Sequence, residues 1–304
     1  MTKNSPDTPY PHLGEKSREL LERSDAERIA YIKTAKWIDY TGAKKVLAEL
    51  EELITWPEDM RPPCRLIVGD SNNGKTSIID RFLKLHPSNP NISGDAAVIP
   101  VLSISAVRAD EKALYDWLLT ALFETFDPKL SVPDNQKLVI FTLRRLKPRL
   151  IIIDESHEMA KGANRSVLAC QSALKAITNL ARIPIAAFGT DEALNAFGLD
   201  KQMENRFEPV FLPKWGWSPD FRGLLVAHEK LLPLRNPSNL HKTVIGREIL
   251  QRTDGLLGEI RRLLTDSAIY AIENKVEQIT LKVIKDCKYR PVGERRIKPQ
   301  IKPL

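Results

Sequence analysis

A chain of 304 residues, 42% hydrophobic and 28% charged, holds enough apolar material for one α/β core and a smaller companion domain. No apolar run approaches the roughly 20 residues that span a bilayer, and the polar start Met1–Pro11 lacks a secretory pattern, so a cytoplasmic location with no membrane partner is expected. Forty-six basic against 39 acidic residues leave a net charge of +7, which suits a polyanionic partner, while Cys64, Cys170 and Cys287 offer neither a disulfide framework nor a CxxC metal site.

Residues 1–14 are rich in Pro, Ser, Thr and Asn and read as a flexible N-terminus. Helical spacing over Glu15–Lys33 and Trp37–Ile54 predicts a helical extension across 15–60, packed beside the site that follows. Cys64–Val68 then has the pattern of a buried strand and Ser77–Leu83 that of a helix. Between them, Gly69-Asp70-Ser71-Asn72-Asn73-Gly74-Lys75-Thr76 matches G-x-x-x-x-G-K-[ST] at every fixed position, in the strand–loop–helix context the motif requires. Glycines let the backbone turn its N–H groups onto phosphate, Lys75 reaches the β- and γ-phosphates, and Thr76 ligates Mg²⁺. Gly69 through Thr76 and the adjoining Ser77 are therefore the expected ATP contacts.

His86–Asn91 carries turn chemistry, Ala96–Ile104 reads as a second strand, and Ala109–Phe126 and Asp134–Leu146 as helices. Leu150-Ile151-Ile152-Ile153-Asp154-Glu155 resembles a Walker B strand: four aliphatics suit a strand buried on both faces, and the carboxylates leave its carboxyl end, where parallel sheets bind ligands. Asp154 would hold Mg²⁺ with Thr76, and Glu155 would polarise the attacking water. A helix over Asn164–Ala181 and strands over Ile183–Gly189 and Pro209–Leu212 complete an α/β nucleotide-binding domain over 61–213 with a five-stranded parallel sheet. Beyond Pro213 every periodic segment is helical, namely Pro219–Leu232, Thr243–Arg252, Leu257–Asn274 and Thr280–Lys288. This gives an all-helical lid domain over 214–288, followed by a basic tail over 289–304 with Arg290, Arg295, Arg296, Lys298 and Lys302, which binds a partner or is merely solvated.

Asp154-Glu155-Ser156-His157 has the letters of a DExH helicase, but only helices follow where a helicase would need a second RecA-like domain. Thr190, at the end of the fourth strand, resembles instead the sensor 1 residue of AAA+ ATPases, with capping of the next helix as its plainer role. Arg206 resembles their arginine finger, which acts on a neighbouring subunit's γ-phosphate, the plainer role being an internal salt bridge. Gly258-Glu259-Ile260-Arg261 resembles sensor 2, with Arg261 the nucleotide-facing residue and Arg262 beside it as competitor.

Trp37-Ile38-Asp39-Tyr40-Thr41-Gly42-Ala43, the phosphate loop, and Leu232-Pro233-Leu234 followed by Pro237-Ser238-Asn239-Leu240 together resemble the TniB family of AAA+ transposition regulators, relatives of TnsC. The resemblance implies a Mg-dependent ATPase that forms rings or filaments, with about six or seven subunits per turn, on double-stranded DNA. It further implies that the protein connects a TniQ-like adaptor to a DDE transposase and is reset by hydrolysis. Backbone contacts to DNA would come from Arg108, Lys112 and Lys137, each equally readable as a solvated surface charge. A helicase loader or initiator, and a nucleotide-dependent scaffold without significant turnover, are the alternative functions.

Overall fold

The runs of aliphatic residues become the strands of one sheet. The structure, a computed structural model, describes residues 9–58, 61–89 and 98–295. It divides into two compact units, one running from Thr41 to Pro213, the other combining the chain up to Tyr40 with the chain from Lys214 onward.

The α/β unit contains β1 (Cys64–Val68), β2 (Val101–Ser105), β3 (Leu150–Asp154), β4 (Ile185–Gly189) and β5 (Phe207–Phe211). All pairings are parallel, in the order β2-β3-β4-β1-β5. Interior strands β1 and β4 are buried at every residue, as continuous apolar runs require. Strand β5 is an edge, buried only at Phe207 and Val210, and so accommodates Pro209 within its length.

The helices, in chain order, are α1 (Glu15–Glu19), α2 (Asp25–Lys33), α3 (Thr41–Thr55), α4 (Lys75–Leu85), α5 (Glu111–Ala121), α6 (Val132–Leu146) and α7 (Asn164–Ala176). They continue with α8 (Glu192–Gly198), α9 (Lys201–Glu204), α10 (Pro219–Lys230), α11 (Thr243–Thr253), α12 (Leu257–Glu273) and α13 (Leu281–Asp286). Ser131 and Asp110 cap α6 and α5 by accepting from the backbone N–H groups of Asp134 and Ala113.

Several boundaries differ from those the periodicity predicts. The second strand begins at Val101, and residues 96–97 of its expected start lie outside the described residues. The helix expected over Ala109–Phe126 stops at Ala121, because Phe123 turns into the left-handed region at φ 56°. The helix expected from Trp37 starts at Thr41, Trp37 instead donating its indole N–H to Asp39 Oδ1 at 2.6 Å. The expected helix over Asn164–Ala181 ends its regular turns at Ala176 and closes with one wide turn over Ile177–Ala181.

The extension expected over 15–60 is not one layer, and buried arginines show why. Arg65, on β1, donates to Glu49 Oε2 at 2.7 Å and so ties α3 to the sheet. Arg28, on α2, is 2% exposed and donates to the carbonyl of Pro233 at 2.7 and 3.1 Å and to Glu277 Oε1 at 2.8 Å. The segment before Tyr40 thus belongs to the helical unit, whose core joins Ile32 to Phe221, Leu225, Ile260, Leu264 and Ile284. In that unit, the loop after Leu232-Pro233-Leu234 closes on one carboxylate: Glu229 accepts from the N–H groups of Ser238, Asn239 and Leu240 at 2.7, 2.8 and 3.1 Å. The part of the flexible N-terminus expected over 1–8, and the tail from Arg296 to Leu304, lie outside the described residues.

Candidate active site

Because β4 lies between β1 and β3, the carboxyl ends of three strands converge: the glycine loop after β1, Thr190 after β4, and Asp154 closing β3. The loop is fastened on both sides. Gly69 N donates to Gly189 O at 3.0 Å, and the buried Asn73 side chain donates to the carbonyls of Leu212 and Pro213 at 2.9 and 3.1 Å. A Cβ on Gly69 would lie 2.8 Å from Leu212 O, closer than a side-chain carbon and a backbone oxygen allow. Gly74 stands at φ 90° and Asn72 at φ 63°, so the backbone reverses before α4 and points the first N–H groups of that helix into the loop.

Lys75 opens α4, is buried, and donates to the carbonyls of Gly69 and Asp70 at 2.7 and 2.9 Å. Burial pushes its ammonium below the ordinary lysine range, opposed by the carboxylates of Glu155, Asp154, Asp70 and Asp191. Thr76 Oγ1 donates to Asp154 Oδ2 at 2.8 Å. A hydroxyl and a carboxylate so close present two hard oxygens on one side of the loop, a donor set that suits Mg²⁺ completed by phosphate oxygens and water. Among the described residues no group of three or more His, Cys, Asp or Glu side chains forms a metal cage.

Glu155 occupies the left-handed region at φ 53° and ψ 33°, and its N–H donates to Asp154 Oδ1 at 2.8 Å. A non-glycine residue held there costs about 1–3 kcal/mol, and the bend turns the Glu155 carboxylate away from the strand axis, where 44% of the side chain is exposed. His157 Nδ1 lies 3.3 Å from that carboxylate.

Thr190 Oγ1 is buried without a hydrogen-bond partner among the described residues. It does not cap α8: the N–H of Ala193 goes to the Thr190 backbone carbonyl, and the helix has no side-chain cap. An orphaned hydroxyl between the loop and Asp154 fits a phosphate oxygen or the attacking water. These residues fit a Mg²⁺-bound nucleoside triphosphate.

The remaining expected residues lie elsewhere. Arg206 precedes β5 at the opposite end of the sheet and donates to the hydroxyl of Thr178 and to Asn179 Oδ1 at 3.0 Å, with no ion pair among the described residues. Thr178 and Asn179 carry no motif that would single them out. Arg261 lies on α12 of the helical unit, lining a small notch with Lys36 and His228. Burial, then Arg261 and Lys16, lowers the Lys36 ammonium to about 8, and burial, then Arg261, lowers His228 to about 4. Arg262 is exposed, whereas Glu259 of the same motif is buried and accepts from Tyr289 Oη at 3.0 Å and Arg295 Nη1 at 3.1 Å. Arg108, Lys112 and Lys137 each pair with a nearby carboxylate, Asp110 at 2.9 Å, Asp116 at 3.0 Å and Asp134 at 3.3 Å.

The parallel sheet with its phosphate loop, and the helical unit, define an AAA+ ATPase fold. Residues 28–217 match the family described as Bacterial TniB protein, and the chain belongs to the TniB family. Solved structures give the same fold at low identity. ORC2 of Aeropyrum pernix, in ADPNP-ADP complexes, is 14% identical with a TM-score of 0.58, covering 84% of this chain and 70% of that one. ORC1 of Aeropyrum pernix in complex with DNA is 14% identical with a TM-score of 0.58, covering 84% and 67%. Cdc6p of Pyrobaculum aerophilum is 16% identical with a TM-score of 0.56, covering 82% and 67%. No curated protein matches the chain. Among the described residues no helix is long and apolar enough to cross a membrane.

Proposed function

We propose that this protein is an ATP-dependent transposition regulator that oligomerises on double-stranded DNA, connects a TniQ-like target selector to a DDE transposase, and disassembles when ATP is hydrolysed. The observation that carries the ATPase part is the Thr76–Asp154 contact of 2.8 Å beside the partnerless Thr190 hydroxyl. Membership of the TniB family supports the transposition part.

In this reading the loop N–H groups and Lys75 bind the triphosphate, while Thr76 and Asp154 would hold Mg²⁺, which would supply positive charge beside the phosphates. Glu155 takes a proton from water, Thr190 orients that water or the γ-phosphate, Arg206 completes a neighbouring subunit's site, and Arg261 is the phosphate sensor carried by the helical unit. Arg108, Lys112 and Lys137 are the DNA-contacting residues of this proposal; short-range surface pairs are weak, so phosphates can displace their carboxylate partners.

Electron microscopy of the protein with linear duplex DNA, with and without a slowly hydrolysed ATP analogue, tests the proposal. Rings or filaments are expected only with nucleotide and are absent for Lys75→Ala; particles indifferent to nucleotide and DNA overturn it. The fold shared with ORC and Cdc6 proteins favours one second reading, a replication initiator or helicase loader, which predicts a stable complex with a helicase and none with a transposase.

A further inference from the structure

The amino-terminal ends of the strands carry a second concentration of charge. Strands β1 and β5 are neighbours, preceded in the chain by Arg61-Pro62-Pro63 and by Asn205-Arg206, and Cys64 N donates to Arg206 O at 3.3 Å where these two segments meet. A cavity of about 490 Å³ opens there, lined by Arg61, Arg206, Arg65, Asn179, Gln202 and Glu208 among others.

Its charges are unequally answered. Arg65 is engaged with Glu49 at 2.7 Å and with Glu52 and Glu208 at 3.5 Å each, and Glu208 makes no ion pair with Arg61 or Arg206 among the described residues. Arg206 is held by two neutral side chains, and the exposed Arg61 has no hydrogen-bond or ion-pair partner among the described residues. Two guanidinium groups that line one concave site and have no ion-pair partner among the described residues are both free to bind a multiply charged anion. Amide groups of Asn179, Gln202 and Asn205 complete a lining rich in donors. Guanidinium forks are matched to phosphate oxygens.

The anion cannot be the chain's own nucleotide. The phosphate loop leaves the other end of β1, a five-residue strand that is roughly 16 Å long. That end holds the carboxylates of Asp70, Asp154, Glu155 and Asp191 around Lys75, whereas the cavity at the other end presents Arg61 and Arg206. Copies stacked head to tail bring them together, the heterologous contact from which rings and helical filaments are built.

We propose that Arg61 acts with Arg206 as a second arginine directed in trans at the triphosphate bound by another copy of this chain. The proposal rests on the reading of Arg206 given above. Each turnover would then need two arginines from the neighbour, one oriented by Thr178 and Asn179 and one from the proline-rich segment that leads into β1.

The experiment mixes variants. Arg61→Ala alone is expected to lower ATP turnover on DNA about 10²-fold, with ATP binding and thermal melting unchanged and Arg61→Lys recovering part of the loss. Glu155→Gln protein, inert itself, still offers Arg61 and Arg206 to its neighbours. Equal mixing with Arg61→Ala should restore roughly a quarter of wild-type turnover, because random assembly pairs half of the intact sites with an intact donor. The same mixture with Arg206→Ala is the control. Rescue of both supports the proposal. Rescue of Arg206→Ala but not Arg61→Ala, or undiminished turnover of Arg61→Ala alone, overturns it while leaving Arg206 in place; rescue of neither overturns the trans reading and this inference together.

Discussion

The partnerless hydroxyl of Thr190 gives a prediction in which stability and activity move in opposite directions. Thr190 Oγ1 is buried and makes no hydrogen bond among the described residues, and a buried polar group without a partner costs about 1–3 kcal/mol. Thr190→Val replaces the hydroxyl by a methyl group of similar size and removes that cost, while the Thr190 backbone carbonyl still accepts from Ala193 N. The nucleotide-free protein should therefore be stabilised by about 1–3 kcal/mol, and its melting temperature should rise by about 2–4 °C per kcal/mol for a unit of this size. If the hydroxyl meets the attacking water or the γ-phosphate, turnover should fall by about 10²-fold with little change in the affinity for a slowly hydrolysed analogue. Differential scanning fluorimetry without nucleotide and a phosphate-release assay with it read the two effects separately. A lower melting temperature would show that the hydroxyl serves the fold, and unchanged turnover would remove Thr190 from the reaction.

Glu155→Gln should keep ATP binding and slow hydrolysis by about 10²–10⁴-fold, trapping the assembly on DNA, as filter binding and negative-stain microscopy would show; wild-type turnover would displace Glu155 from its assigned role. Glu277→Ala leaves Arg28, 2% exposed, without its closest carboxylate and should destabilise the helical unit by about 3 kcal/mol in urea unfolding, whereas an unchanged midpoint would mean that the Pro233 carbonyl and Asp25 suffice. His228 supplies a pH dependence. Its pKa falls from 6.5 to about 4 on folding, so between these values the unfolded chain binds a proton that the folded chain refuses, and stability declines as pH drops through that window. The loss approaches about 3 kcal/mol by pH 4 and should be absent in His228→Gln, measured by unfolding at a series of pH values.

The candidate site was legible in the sequence wherever its geometry demands particular residues at short range. Gly74 must reverse the backbone, Lys75 and Thr76 must follow it directly, and Asp154 must end an aliphatic run, so each left a local trace. The position of Thr190 between them depends on β4 inserting between β1 and β3, a choice made by the whole sheet and written in no single stretch. The left-handed turn at Glu155 is equally silent, since nothing about a glutamate announces φ 53°.

Long-range partners account for the other differences. A 3.6-residue period finds the helix over Asp25–Lys33 but not where it belongs, because that is settled by Arg28 reaching Pro233 and Glu277, more than 200 residues away. The same limit applies to charge. Arg108, Lys112, Lys137, Arg61 and Arg206 read alike as surface cations, yet the first three have carboxylates within 3.3 Å while Arg206 is held by neutral groups and Arg61 by nothing described. An arginine answered by its own chain must exchange one anion for another when a ligand arrives and gains little from it. An arginine with no carboxylate partner among the described residues gives up no ion pair when an anion arrives, so of these five cations Arg61 and Arg206 have most to gain from an incoming phosphate.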